Sequence, residues 1–277
     1  MALTAWVPFV FYAAAAAAYL VHFSKREKKA GLTATGLLAA GVLAHTFLIG
    51  MQTMEVGYAP LVGTTAAVSA FVWLLGLAYL YVELTTEERA MGAFVTVLLA
   101  VLAVLPALNP SPEPRPELLR SPLFTVHVLS MLFAYASFAL AFVLGITYVL
   151  LFKEIKAKHL GFFYTRLPSL QTLDVMNGRA VVVGWLFLTC GLIIGGVWAM
   201  QLHGSSTTDS RVQAMGIGDP KILVALLSWT IYSFALFARR AIGWSGRRAA
   251  WLSAFAFVLV LLNLVPVGYF LTRSHNF

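Results

Sequence analysis

The chain has 277 residues, of which 60% are hydrophobic and only 11% charged, and its mean hydropathy is +0.85. Soluble domains carry about a quarter charged residues, so the composition excludes an ordinary water-soluble fold and reads as a polytopic membrane protein. The net charge of +8 does not point to nucleic acid, because the basic residues fall in short runs between apolar segments, as cytoplasmic loops do.

A membrane-crossing helix needs about 20 mostly apolar residues. On that measure the sequence predicts an all-α bundle of about eight spans, at roughly 4–23, 33–52, 60–82, 91–108, 122–151, 180–202, 221–238 and 249–272. The first apolar stretch lacks a basic leader and a clear cleavage site, so no cleaved signal peptide is expected. The fifth run is long for one crossing and predicts a helix that continues beyond the membrane. No internal repeat stands out, and residues 1–277 read as one integral domain.

Orientation follows from lysine and arginine. The runs KREKK (25–29), KEIKAKHLGFFYTR (153–166) and RRAIGWSGRR (239–248) follow spans one, five and seven. With eight spans they share one side, which the positive-inside rule makes cytoplasmic. Both termini are then extracytoplasmic, as are the loops 53–59, 109–121 and 203–219. The proline-rich NPSPEPRPELLRS is an extended surface connection.

Cys190 is the sole cysteine. That excludes an internal disulfide and a CxxCH site, hence a covalently attached haem on this chain. The predicted spans hold almost no carboxylate or ammonium groups, which argues against a proton-coupled transporter. Six histidines remain. His22 reads as an interfacial residue beside KREKK, His159 as solvated in a basic loop, and His45 and His203 as packing or interfacial residues. His127, six residues into the outer end of span five, and His275, just past the outer end of span eight, share one membrane level on one side. Either they are ordinary interfacial residues or they face one another as a bis-histidine site for haem iron. Trp185, Trp198, Trp229, Tyr135 and Tyr232 form either an interface belt or a shelf for a flat ligand.

Several segments fit one family. SPLFTVHVLSMLFAYASFALAFVLGITYVL, LDVMNGRAVVVGWLFLTCGLIIGGVWA and DPKILVALLSWTIY, with the last stretch GWSGRRAAWLSAFAFVLVLLNLVPVGYFLTRSHNF and, more faintly, GYAPLVGTTAAVSAFVWLLGLAYLYVEL, resemble the cytochrome c assembly proteins of the CcsA, CcmC and HemX type. The resemblance is strongest from 121 to 277. It implies an all-helical bundle in the bacterial cytoplasmic membrane and a role in handling non-covalent haem b. By position, His127 and His275 match the family's two outer histidines that ligate haem iron.

GIGDPKILVALLSW then reads as an outer loop entering span seven. Pro220 suits the first helical turn, Asp219 the N-cap, and Lys221 the side of a haem propionate, aided by the helix N-terminus. Arg211 lines the same side, and Trp198 closes the Gly-x-x-Trp-Ala signature of the preceding helix.

The chain departs from the synthase pattern. The tryptophans expected before Asp-Pro-Lys are absent from HGSSTTDSRVQAMGIG, the following tryptophan position is Val224, and the histidine position inside span seven is Phe237. These departures imply a HemX-like member that holds or relays haem and forms no bond by itself, acting on apocytochrome c only with a partner subunit. The alternative is a scaffold or regulatory subunit whose basic loop 153–179, with Phe162, Phe163 and Tyr164, binds anionic lipid or a haem-biosynthesis enzyme such as glutamyl-tRNA reductase.

Overall fold

Inside a bilayer no water satisfies backbone N–H and C=O groups, so a greasy chain must close its hydrogen bonds within each segment. The computed structural model, which describes residues 2–61, 63–110, 119, 121–158, 161–203 and 219–262, contains nine α-helices and no strand among them. They are α1 Ala2–Lys25, α2 Lys28–Val56, α3 Thr64–Thr86, α4 Gly92–Leu108, α5 Pro122–Lys156, α6 Phe162–Arg166, α7 Leu170–His203, α8 Pro220–Phe237 and α9 Arg247–Leu262. Six of them are long and apolar enough to cross a membrane: α1, α2, α3, α5, α7 and α8, the last with its following turn. Helix α4 is an apolar helix of 17 residues, and α9 is described for 16.

Local chemistry sets the helix boundaries. Ser121 caps α5 by accepting from the Leu123 N–H at 3.3 Å, with Pro122 in the first turn, and Asp219 with Pro220 does the same for α8. Gly57 ends α2 in a left-handed conformation (φ 78°), its N–H bonded to the Thr53 carbonyl. Within the helices, hydroxyls of Thr46, Thr96, Ser137, Thr147 and Ser228 bond the carbonyl four residues back, which hides them from the apolar surroundings.

Helix α1 packs against α2 and α4, and α3 packs against α4 and α5. Helix α5, at 35 residues, is the longest and packs most extensively against α7, with α9 on another side. It therefore joins the first four helices to the last three. Asn177 ties α7 to both neighbours, donating to the Ala141 carbonyl at 2.7 Å and to Ser253 Oγ at 2.9 Å.

The basic residues gather at one end of the bundle. Arg26 of the α1–α2 turn donates to the Thr165 carbonyl, and Arg179 of α7 to the Thr85 carbonyl. Arg239 meets Asp174 through two parallel bonds, at 3.0 and 2.8 Å, and Asp174 also accepts from the Gly246 N–H at 2.9 Å. That pairing closes a π turn, Ala238–Ile242, and the left-handed Gly243 (φ 76°) between α8 and α9.

Two expectations are corrected. The segment 153–179 is largely helical rather than a loop: α5 runs to Lys156, α6 spans Phe162–Arg166 and α7 begins at Leu170. Its polar start, LDVMNGR, reads as a loop because Asp174, Asn177 and Arg179 find partners only in other helices. The third span does not stop at 82. Helix α3 carries on to Thr86, and its Glu83 is fully buried, accepting from Tyr19 Oη at 2.6 Å and from Thr35 Oγ1, with Arg89 Nε at 3.8 Å. The interior of the bundle thus holds a carboxylate that the sequence pattern leaves outside the span.

Candidate functional site

Helices α5 and α7 run antiparallel in tight register. Three residues that α5 turns toward α7 meet glycines: His127 lies against Gly195, Met131 against Gly191 and Phe138 against Gly184. Steps of four and seven along α5 match equal steps backward along α7. A Cβ on Gly195 would stand 2.6 Å from the His127 ring atoms Cε1 and Nδ1, so only glycine lets the imidazole lie there. The spacing of Gly191 and Gly195 is the small-xxx-small pattern by which membrane helices approach closely. It was the signal in GLIIG that could have located the seat of His127.

The ring is oriented by its neighbour. Nδ1 of His127 stands 2.8 Å from the Gly191 carbonyl oxygen. A carbonyl only accepts, so Nδ1 carries the proton. In the neutral imidazole Nε2 then keeps its lone pair. Metal-binding histidines are prepared in this way, with one nitrogen held by a backbone carbonyl and the other available.

One helical turn beyond Gly195, Trp198 is 5% exposed and packs against Phe124 with ring centroids 5.2 Å apart, beside Leu119. Its Nε1–H has no acceptor among the described residues. A buried donor without a partner costs about 1–3 kcal/mol, and this one belongs to the helix pair that carries His127. Asp219 is buried and accepts from the Lys221 N–H at 2.8 Å. The Lys221 ammonium lies within electrostatic range of His127, which brings the start of α8 to the same end of the bundle.

Of the sequence candidates, His127, Trp198, Asp219 and Lys221 thus share one end, opposite the basic one. His275 and Arg211 lie outside the described residues, as does His159. His45 is elsewhere. It is 2% exposed between α1, α2 and α3, and both ring nitrogens meet hydroxyls, Nδ1 with Tyr12 Oη at 3.1 Å and Nε2 with Ser69 Oγ at 2.9 Å. It is a hydrogen-bonded packing residue with no nitrogen to spare. No group of three or more His, Cys, Asp or Glu side chains suited to a metal ion occurs among the described residues.

Deeper in the bundle, α7 and α8 exchange hydrogen bonds. Trp185 Nε1 donates to Ser233 Oγ at 2.7 Å and Trp229 Nε1 donates to Thr189 Oγ1 at 2.8 Å. These tryptophans are therefore committed to helix packing. Tyr232 stacks face to face on Phe138, 3.6 Å between centroids, also within the protein.

Comparison with known proteins gives this architecture a family. The chain matches the Cytochrome C assembly protein family over residues 1–275. It is 26% identical over 273 residues to the cytochrome c biogenesis protein CcsA of Guillardia theta, covering 91% of this chain and 88% of the relative. To the protein HemX of Bacillus subtilis it is 24% identical over 271 residues, covering 97% and 95%. To CcsA of Microcystis aeruginosa it is 26% identical over 296 positions, covering 89% and 87%. The chain belongs to the cytochrome c assembly protein family.

Proposed function

We propose that this member of the cytochrome c assembly family serves cytochrome c biogenesis by holding b-type haem, non-covalently, at the end of the bundle where His127 lies. His127 and His275 are the axial ligands in this reading. Lys221 and Arg211 take the propionate side, Asp219 fixes the start of α8 beneath them, and Trp198 supplies the unused N–H. The observation that carries the reading is the His127 ring, seated on Gly195 and held at Nδ1 by Gly191, so that Nε2 is left as a ligand. The donor set fits haem: a neutral imidazole, a buried aromatic wall and a cation at a helix N-terminus.

Haem is cargo here. His127 and His275 would hold its iron, and in this reading the protein presents haem rather than joining it to a polypeptide. Phe237 and Val224, standing where the resemblance leads one to expect histidine and tryptophan, agree with that restriction. Bond formation to apocytochrome c then belongs to a partner subunit. The basic end faces the cytoplasm by the positive-inside rule, which puts His127 and both termini on the outer side of the bacterial cytoplasmic membrane, with eight spans in all.

The test is an absorption spectrum of the detergent-purified protein, oxidised and reduced, beside His127→Ala and His275→Ala. Sharp α and β bands on reduction, lost in either variant, are expected. A wild-type spectrum that stays featureless after hemin addition would sink the reading.

A second reading has one observation in its favour. Glu154 accepts from the Phe163 and Tyr164 N–H groups, at 3.4 and 2.9 Å, and so pins α6 to the basic end with Tyr164 46% exposed. A fixed aromatic among lysines suits a scaffold or regulatory subunit that binds a haem-biosynthesis enzyme. Unchanged partner recovery after Lys153, Lys156 and Lys158 are changed to Glu would remove it.

A further inference from the structure

At the basic end, three distant connections meet around a cavity of about 450 Å³. The end of α1 and its turn supply His22, Phe23 and Arg26; the α3–α4 turn supplies Glu87, Glu88 and Arg89; the α6–α7 junction supplies Arg166 and Leu167. None of these residues belongs to the His127 site. The walls are held from outside. Arg26 is tied to the Thr165 carbonyl, and Arg89 to Thr35 Oγ1 at 3.1 Å and to the buried Glu83. A guanidinium has five N–H donors, so neither anchor exhausts its arginine. Arg26 (φ 57°) and Glu87 (φ 56°) follow the ends of α1 and α3 in the left-handed conformation common at helix C-termini. Two charged residues of opposite sign thus stand at helix ends beside one cavity.

The signs choose the ligand. Three arginines and two glutamates line the cavity; Arg89 is already paired with Glu83, and Glu88 Oε1 accepts from the Ala90 N–H at 2.9 Å, which leaves its second oxygen for a ligand. A simple anion would meet the glutamates, and a simple cation the arginines. A group carrying both a phosphate and an ammonium matches both. The apolar neighbours choose its source. Leu20 and Val21, immediately before His22 on α1, are 48% and 39% exposed on a helix long enough to cross the membrane. Acyl chains attached to a head group in the cavity can lie along that face. We propose that the cavity binds the head group of a zwitterionic phospholipid, phosphatidylethanolamine by chemistry, with Arg26 and Arg166 on the phosphate and Glu87 and Glu88 on the ammonium. Basic pockets between membrane helices take lipid head groups; the glutamates are what make this one selective. The site also clamps the α1–α2 turn to α6, so the lipid acts as a third tie between the two halves of the bundle.

The experiment uses the full-length protein, delipidated in detergent, and follows its melting midpoint against added phosphatidylethanolamine, phosphatidylglycerol or soluble phosphoethanolamine. The wild type is expected to be stabilised by phosphatidylethanolamine at about tenfold lower concentration than by phosphatidylglycerol. Arg26→Gln with Arg166→Gln is expected to weaken the phosphatidylethanolamine response about a hundredfold, about tenfold for each lost charge-assisted bond. Glu87→Gln with Glu88→Gln is expected to abolish the preference between the two lipids, and this mild pair carries the test if the arginine pair does not fold. Equal responses of wild type and both pairs, or no preference in the wild type, would overturn the site. A shift given by phosphoethanolamine and not by the lipid would overturn the lipid source.

Discussion

The Nδ1–H of His127 on α5 donates to the Gly191 carbonyl on α7 across 2.8 Å, and that bond decides which nitrogen of the ring is left for a ligand. The bond exists because Gly195, one turn further along α7, has no Cβ to push the ring away. Ligand preparation and helix packing are therefore the same contact.

It follows that Gly195→Ala should act on ligand affinity before it acts on the fold. The added methyl displaces the imidazole and breaks its bond to Gly191. Loss of such a partner typically costs about 10–100-fold in affinity at a metal-binding histidine. Titration of the purified variant with hemin should show that loss, while helical content by circular dichroism stays at the wild-type level. Wild-type affinity in Gly195→Ala would separate His127 from the ligand.

Much of this was legible in the chain itself. Asp219–Pro220 announces its helix start by cap chemistry alone, and the excess length of α5 shows in its unbroken apolar run. His127 could be placed near a helix end by counting residues. What could not be read was pairing. Glu83 lies outside a hydropathy-drawn span because a carboxylate lowers the average, whether or not Tyr19, Thr35 and Arg89 surround it. Asp174 reads as loop because its partner Arg239 lies 65 residues away. Gly195 reads as one more small residue until the ring above it is seen. Hydropathy grades residues one at a time; burial of a polar group is a property of the set that meets it.

Glu83 gives a second prediction. It is fully buried and served by two hydroxyls and a guanidinium. Glu83→Leu strands Tyr19, Thr35 and Arg89, and removing one member of a buried charge pair costs about 3–5 kcal/mol. Glu83→Gln keeps one acceptor and should lose less. A double variant with Arg89→Met should recover part of the Leu penalty, since the uncompensated cation is gone. Reversible unfolding in mixed micelles would read all three; a double variant no better than Glu83→Leu alone would deny the coupling.

The exchanged tryptophan bonds of α7 and α8 support a smaller effect. Interhelical hydrogen bonds in membranes average about 0.6 kcal/mol, so Thr189→Val and Ser233→Ala should each destabilise only slightly. The two bonds involve different donors and acceptors. The stacked Trp185 and Trp229 rings, 6.5 Å apart, nevertheless connect them. Combined, the substitutions should cost less than their sum, because each bond holds the ring on which the other tryptophan rests and either change alone already weakens both. Strict additivity in a double-mutant cycle would mean that the rings are held by packing alone.

The Asp174–Arg239 pair makes a prediction about access rather than stability. Asp174 holds the guanidinium by two bonds and, through Oδ1, the Gly246 N–H, so one carboxylate fixes both sides of the α8–α9 turn. Gly178 supplies the room, since a Cβ there would stand 3.0 Å from Arg239 Nη1. Asp174→Asn keeps an acceptor for Gly246 but loses the bidentate charge pair, whereas Asp174→Ala loses both. The turn carries Arg239, Arg240, Arg247 and Arg248, all trypsin sites. Limited trypsin digestion of the folded protein should therefore cut this turn slowly in the wild type, faster in Asp174→Asn and fastest in Asp174→Ala. The same order should not appear at Lys153 or Lys156 on α5, which the pair does not touch. If all three proteins were cut at one rate in the α8–α9 turn, the π turn and its glycines would hold the connection without Asp174.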